Sequence, residues 1–576
     1  MKTVKKLMIG NEAVARGLYE AGCKVVSSYP GTPSTEITEF ACEYEEINSE
    51  WAPNEKVAVE VAFGASLAGV RSCACMKHVG LNVAADPLFT LSYTGVNGGL
   101  VIVVADDPGM HSSQNEQDSR HYAIAAKLPM LEPADSGECL DFIKRAFELS
   151  EEFDTPVLFR SATRNAHSQS LVELSDRADV PKKEYVKNPQ KYVMMPGYAI
   201  KRHVIVEERM RKLAELAETT ELNVIEDNAA DLSIITSGTC YQYVKEVFGD
   251  TVNVLKIGLV NPLPSEKIKN FAVKAKRLVV VEELDGVIET HCRALGIAVE
   301  GKTLFGYLGE FSQKSVAEAF GLPAKPHFTL DETLPMRPPV MCAGCPHRGI
   351  FYTLAKHKIT ALGDIGCYTL GSQPPLNALD STLCMGASIS SLHGFNKVET
   401  GEKSVAVIGD STFAHTGISG LVDISYNASN STVIILDNSI TGMTGHQHNP
   451  TTGFNIKGEP ASKIDIEALC VSLGIKRVSI VDPYDLKECE RVILEELASR
   501  GPSVIISRRP CVLLKSFKQG DPLRICADKC IGCKNCMKLG CPAISMKDKK
   551  AVINETLCVG CEICCQLCVP GAIGGA

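Results

Sequence analysis

Ten cysteines lie between Cys526 and Cys568, eight of them in two runs of fixed spacing. Cys530-x2-Cys533-x2-Cys536-x4-Cys541-Pro542 is followed by Cys558-x2-Cys561-x2-Cys564-x3-Cys568, with Pro570 two residues on. A segment of about 50 residues with so many thiols is too short to build a core of its own, so it is expected to fold around metal. The amino-terminal stretch carries Lys2, Lys5 and Lys6, but Asn11, Glu12 and Arg16 break its apolar character at once, unlike a signal peptide. A cytoplasmic location is expected, and in a reducing compartment clustered thiols read as metal ligands before disulfides. A zinc ribbon is the alternative, but it needs four ligands, half of what the two runs supply.

The rest of the chain reads as ordinary globular protein. At 576 residues several domains are expected, and 45% hydrophobic with 22% charged residues argues against disorder and coiled coil. The formal charge of −9, without a long basic run, disfavours a nucleic-acid partner. The strongest apolar runs, Leu100 to Ala105 and Val433 to Leu436, are far too short to span a membrane.

Alternation of helical periodicity with short apolar strands predicts α/β architecture with parallel sheets. A helix over Ala13 to Tyr19 and strands at Val25 to Tyr29, Leu100 to Ala105 and Val157 to Phe159 mark a first domain, residues 1–180. The polar, irregular sequence that begins near Ser168 predicts a linker, placed at 181–225. A second α/β domain, 226–335, holds strands at Leu232 to Thr236, Leu255 to Val260 and Leu278 to Val281, and closes near Pro335 to Pro339. A third, 336–515, holds strands at Ala406 to Ile408, Val433 to Leu436 and Val504 to Ile506, and the cysteine-rich tail fills 516–576. No short-period repeat is visible.

The tail resembles the bacterial two-cluster ferredoxins, with one extra residue before Cys541 and another before Pro570. The resemblance implies interleaved ligands: Cys530, Cys533, Cys536 and Cys568 on one [4Fe-4S] cluster, Cys558, Cys561, Cys564 and Cys541 on the other. Cys526 and Cys565 are left over, as substitutes or plain thiols.

After the strand ending at Ile408 comes Gly409-Asp410-Ser411, and 28 residues beyond Asp410 lies Asn438, within Leu436-Asp437-Asn438-Ser439-Ile440. A glycine turn at a strand end lets the backbone approach a phosphate, and Asp and Asn oxygens are hard ligands suited to Mg²⁺. The pattern resembles the thiamine diphosphate motif, with Ser411 in place of its second Gly and Asp437 in place of its first Asn. That resemblance implies Asp410, Asn438 and the carbonyl of Ile440 as Mg²⁺ ligands. Enzymes of this kind carry a glutamate that protonates the aminopyrimidine N1′. The small-residue helix opening at Asn54-Glu55 is similar to theirs, so Glu55 is assigned that role, with Glu60 as its rival and a solvated helix carboxylate as the plain alternative.

Together these pieces resemble the 2-oxoacid:ferredoxin oxidoreductases over essentially the whole chain. Tyr29-Pro30-Gly31-Thr32-Pro33-Ser34, Cys342-Ala343-Gly344-Cys345-Pro346-His347-Arg348, Gly363-Asp364-Ile365-Gly366-Cys367-Tyr368 and Thr444-Gly445-His446-Gln447 are most similar to the indolepyruvate type. The resemblance implies a multidomain thiamine diphosphate fold of parallel-sheet α/β domains with a two-cluster ferredoxin domain at the C-terminal end. It also implies oxidative decarboxylation of an arylpyruvate with CoA to an arylacetyl-CoA and CO₂, electrons leaving to ferredoxin. A smaller β subunit and a higher oligomer of such pairs follow from the same resemblance.

For substrate contacts, Thr32 is a candidate hydrogen-bond donor or else a helix cap, and Arg120 a candidate carboxylate partner or else a solvated surface residue. Met443 stands where pyruvate-oxidising relatives carry Asn, and is read as an aryl-pocket wall or as core packing. Cys342, Cys345, Cys367 and Cys511 fall where those relatives place a third cluster; buried thiols are the other reading. The competing functions are action on a different 2-oxoacid, a non-oxidative thiamine decarboxylase or carboligase, and an electron-transfer subunit with inactive α/β domains.

Overall fold

The computed structural model describes residues 4–323, 330, 332–398 and 403–574, leaving Lys2 and the last two positions of the tail outside the described residues. It divides into two compact units, residues 1–330 and 331–576.

The first unit holds two larger sheets and a two-stranded one. Its seven-stranded sheet runs, edge to edge, Leu259–Asn261, Met130–Leu131, Val157–Ala162, Leu100–Asp106, Ser72–Lys77, Val25–Ser28, Asn48–Trp51. All pairs are parallel except the first, and the central strands are buried end to end, as sheets covered on both faces require. The helix predicted over Ala13 to Tyr19 spans Gly10–Glu20. The four-stranded sheet runs Arg277–Val281, Leu232–Ser237, Asn253–Ile257, Asn223–Glu226.

Two expectations are corrected here. The run Leu255 to Val260 is two strands in two sheets, because the chain crosses over at Gly258. A Cβ at that glycine would lie 2.6 Å from the Leu222 carbonyl oxygen and 2.8 Å from the Phe142 ring. The Asn223 side-chain oxygen accepts from the N–H groups of both Gly258 and Leu259, at 3.0 Å each, and so fixes the crossing. The stretch 181–225, expected as a linker, contains the helix Pro196–Thr219, and just before it Gln169–Leu174 pairs antiparallel with Val4–Ile9. The helix buries a stripe of Arg202, Val206, Arg209, Leu213 and Ala217, and the two buried arginines donate to the carbonyls of Tyr93 and Ser92.

A sealed group of charges joins the two larger sheets of this unit. Arg120 is 1% exposed, and its guanidinium donates to Asp118 and Glu282 at 2.6 Å each and to the carbonyls of Glu283 and Asp285. Arg160 pairs with Asp106 at 2.7 Å and with Glu132. Burial would raise Asp118, but the two guanidiniums overcome it and hold the carboxyl well below the usual range. This corrects the expectation for Arg120: every arm of the side chain is spent inside the protein, so it is neither a substrate ligand nor a surface residue.

The second unit holds a six-stranded, wholly parallel sheet in the order Ser381–Thr382, Thr360–Gly363, Ser404–Gly409, Thr432–Asp437, Ser503–Arg508, Arg477–Val481. The cysteine-rich tail adds two short antiparallel strand pairs, Arg524–Ile525 with Ile573–Gly574 and the hairpin Ile544–Lys547 with Lys550–Ile553. Among the described residues no helix is long and apolar enough to cross a membrane.

Removing the Arg120 charge leaves Asp118 and Glu282 buried without a cation, a loss of about 3–5 kcal/mol for a broken buried pair. Arg120→Met should therefore lower the denaturant midpoint sharply. Unchanged stability with a raised KM would return Arg120 to the substrate.

Candidate active site and cysteine cavities

Open parallel sheets bind ligands beyond the carboxyl ends of their strands, where the strand order reverses. In the second unit that reversal falls between Thr360–Gly363 and Ser404–Gly409, and Asp364 and Asp410 follow these strands directly. Asp410 is 2% exposed. Burial pushes its carboxyl up to about 7, and the adjacent Asp437 adds to the effect. Thr451 Oγ1 donates to its Oδ2 at 3.0 Å.

The amide of Asn438 faces oxygen on two sides, the Ile440 carbonyl at 2.8 Å and Asp410 Oδ1 at 3.2 Å. With its nitrogen turned there it donates to both; with its oxygen there, three oxygens converge and only a cation satisfies them. In the second orientation the amide nitrogen faces His347 Nε2 at 3.5 Å, and burial holds that imidazole neutral by pulling it down to about 4. One carboxylate, one amide oxygen and one carbonyl form a donor set that fits Mg²⁺. Asp437, standing beside Asn438, is neutralised by Arg508 at 2.9 Å. Ser411 accepts a hydrogen bond from Thr441 at 2.9 Å and so ties the turn to the following loop. Met443, on that loop, is 51% exposed and is not core packing.

In the first unit Glu55 and Glu60 have different fates on the helix Glu55–Leu67. Glu55 is 5% exposed in its first turn, which Asn54 caps by accepting from Val57 N–H. Glu60 is exposed and pairs with Lys56 one turn earlier. Gly80 leaves room for Glu55: a Cβ there would lie 2.6 Å from Glu55 Cγ. Thr32 is half-buried, and the helix Thr35–Ala41 has no side-chain cap, since Ser34 donates to the Gly31 carbonyl instead.

The tail sorts its thiols into two cavities. One is lined by Cys530, Cys533, Cys536 and Cys568, together with Ile525, Ile531 and Leu567. The other is lined by Cys541, Cys558, Cys561 and Cys564, together with Leu539, Ile563 and, from the preceding domain, Ala343, Gly344 and Arg348. These are the two quartets expected from interleaved ligation, and Cys526 and Cys565 line neither cavity. The two runs share one backbone trace: Gly532 and Gly560 both have φ +68°, and Lys534 and Glu562, two residues on, have φ +63° and +59°. Glycine is required at the first of these positions, since a Cβ on Gly532 would meet the Lys549 carbonyl at 2.3 Å.

Cys342, Cys345, Cys367 and Cys511 gather near the Asn438 loop. Burial pushes Cys345 up to about 12 and Cys367 to about 11, and Cys342 pushes both the same way. Cys511 N–H donates to the Asn438 carbonyl at 3.0 Å, and a Cβ on Gly442 would lie 3.3 Å from Cys367 Sγ.

Comparison with known proteins agrees with this geometry. Residues 364–507 match the family model of the thiamine pyrophosphate enzyme C-terminal TPP binding domain. Residues 16–230 match that of the pyruvate flavodoxin/ferredoxin oxidoreductase thiamine diphosphate-binding domain. The chain is 40% identical to the indolepyruvate oxidoreductase subunit IorA of Archaeoglobus fulgidus, covering 99% of this chain and 97% of that one. It is 40% identical to the same subunit of Methanothermobacter marburgensis (98% and 96% covered) and 39% identical to that of Pyrococcus horikoshii (99% and 96%). The chain belongs to the IorA family. IorA chains are subunits, so a partner subunit is implied, and this one is an oxidoreductase subunit of the 2-oxoacid type with thiamine diphosphate-binding domains.

Three groups carried no assigned role in the sequence motifs: in the second unit His347 beside Asn438 and Thr451 on Asp410, and in the first unit Gly80 against Glu55. His347 stood inside a quoted motif; nothing in the spacing of Thr451 or Gly80 marks either, because both act through tertiary contact. Gly80→Ala should displace the Glu55 carboxylate and cut turnover at least tenfold. Gly64→Ala, on the Glu55 helix with nothing within 4 Å of the added Cβ, should leave turnover unchanged. Equal activities in the two variants would sink the placement of Glu55.

Proposed function

We propose that this chain, with a smaller β subunit, oxidatively decarboxylates arylpyruvates of the indolepyruvate type with CoA and passes the electrons to ferredoxin. The observation that carries this is the joint presence, in one chain, of the Asp410–Asn438–Ile440 oxygen cradle and two separate four-cysteine cavities. When bound, thiamine diphosphate supplies the nucleophilic carbon and the electron sink for decarboxylation, and [4Fe-4S] clusters supply one-electron carriers.

The residues divide that work. Asp410, Asn438 and the Ile440 carbonyl hold Mg²⁺ against the diphosphate, while Gly409 and Ser411 form the turn beside it. Glu55, dry at its helix start, holds a proton at the aminopyrimidine N1′. Thr32 hydrogen-bonds the oxoacid. Cys530, Cys533, Cys536 and Cys568 hold one cluster and Cys541, Cys558, Cys561 and Cys564 the second; Cys342, Cys345, Cys367 and Cys511 hold a third. The second quartet is walled by Ala343 and Gly344, from the loop that carries Cys342 and Cys345, which supports electron transfer between the third site and the second. Met443, half-exposed on its loop, gives the aryl group a polarisable wall, sulfur–aromatic contact being worth about 0.3–1.5 kcal/mol. A non-oxidative decarboxylase has no use for two thiol quartets.

Anaerobically purified complex should carry about twelve iron atoms per copy of this chain, about eight if the third site stays empty. It should reduce ferredoxin only with CoA and a 2-oxoacid, arylpyruvates ahead of pyruvate. Glu55→Gln should lower kcat by about 10²–10⁴-fold with iron content unchanged. Iron near four with stoichiometric zinc, or CO₂ release without electron transfer, would overturn the reading.

A further inference from the structure

The strand order of the first unit also reverses, between Val25–Ser28 and Ser72–Lys77. The loop Tyr29 to Thr32 leaves the first strand there, and Lys77 and His78 leave the second. Gly31 sits directly against Lys77, where an added Cβ would come within 3.0 Å of the lysine Cβ. Lys77 is 8% exposed, and Asp107 acts on its charge without an ion pair forming between them among the described residues. Its Nζ donates to the Ser112 carbonyl at 2.6 Å and lies 3.5 Å from the Ser112 hydroxyl, which donates to the Thr32 carbonyl at 3.4 Å.

An ammonium has three donors, so this one keeps hydrogen-bonding capacity after serving Ser112. Asp107, the carboxylate that acts on this amine, spends its oxygens on Ser112 N–H, Ser113 Oγ and Thr163 Oγ1. Burial pulls the Lys77 amine down to about 8, with Asp107 acting against it. A desolvated cation without an anion is costly unless a ligand completes it. Lys77 and Gly80 stand on one strand-to-helix turn, the first against Gly31 and the second against Glu55. Other basic side chains at this end have partners: Arg164 and His111 with Glu310, His167 with Glu36, and Arg120 in its sealed cluster.

We propose that Lys77 binds the carboxylate of the 2-oxoacid, beside Thr32 and on the same wall as Glu55. This rests on the reading that a 2-oxoacid reacts at this site. It names a lysine where the sequence offered Arg120. The amine turns from Ser112 toward the incoming carboxylate, forming a charge-assisted hydrogen bond that neutralises both buried charges.

The test uses the complex with its β subunit, loaded with thiamine diphosphate, and two dead-end probes: indole-3-propionate, and indole-3-propanol, which lacks the carboxylate. In Lys77→Met, indole-3-propionate should bind about ten- to a hundredfold more weakly, while indole-3-propanol and thiamine diphosphate bind as in wild type. KM for the oxoacid should rise more than kcat falls, and Lys77→Arg should recover most of the affinity. Should the methionine variant misfold, Lys77→Gln keeps the bond to Ser112 without the charge and should show the same loss. Unchanged indole-3-propionate binding in the neutral variants, or an equal loss for both probes, overturns the role of Lys77 while wild-type turnover leaves the proposed reaction standing. A wild type that turns over no 2-oxoacid from a panel overturns both.

Discussion

Arg120 and Arg160, sealed from water among Asp106, Asp118, Glu132 and Glu282, decide how the first unit is built. Charges so buried are tolerated only when each finds its opposite, and here the partners come from both larger sheets. Glu282 follows the last strand of the smaller sheet, and Glu132 approaches Gly238, which follows that sheet's central strand, so closely that a Cβ there would lie 2.3 Å from its carboxylate. These two strand ends flank the point at which the smaller sheet reverses its order, the position where such sheets otherwise take a ligand. The protein has filled that crevice with its own charges.

The other two reversal points are different in kind. Asp410 is as dry as the carboxylates of the sealed cluster, the neighbouring Asp437 raises its cost, and the Ile440 carbonyl and, in one of its two orientations, the Asn438 amide oxygen face it. Lys77 is buried, with Asp107 acting on its charge. On the proposed function, the first point takes a magnesium-bound cofactor and the second a carboxylate substrate.

The tail follows a separate logic. Its small core interleaves Cys530, Cys536, Cys558 and Cys564 with Leu523, Leu539, Ile544, Ile563 and Ile573, and Leu486 of the preceding domain packs in. Backbone N–H groups of Ala551 and Gly532 aimed at Cys530 hold that thiol below its ordinary value, while burial raises Cys536, Cys561 and Cys564. Each cavity takes three of its thiols from one run and the fourth from the other.

What the sequence determined by itself were the features written in short-range spacing: the two cysteine quartets, the Gly409-Asp410 turn with Asn438, and the buried parallel strands. Ligand geometry and strand alternation act over a few residues, so spacing alone carries them. Glu55 over Glu60 was also legible, since the small-residue helix begins at Glu55, although only the packing of Gly80 against it shows why it is the dry one. The tertiary structure alone decided which charges are inside. Arginine on a helix reads as solvent-facing, yet Arg120, Arg202 and Arg209 are buried by partners up to 165 residues away. The crossing at Gly258 and the helix Pro196–Thr219 escaped notice for the same reason, because burial of a polar side chain depends on neighbours that are distant in the chain and leave no period in it.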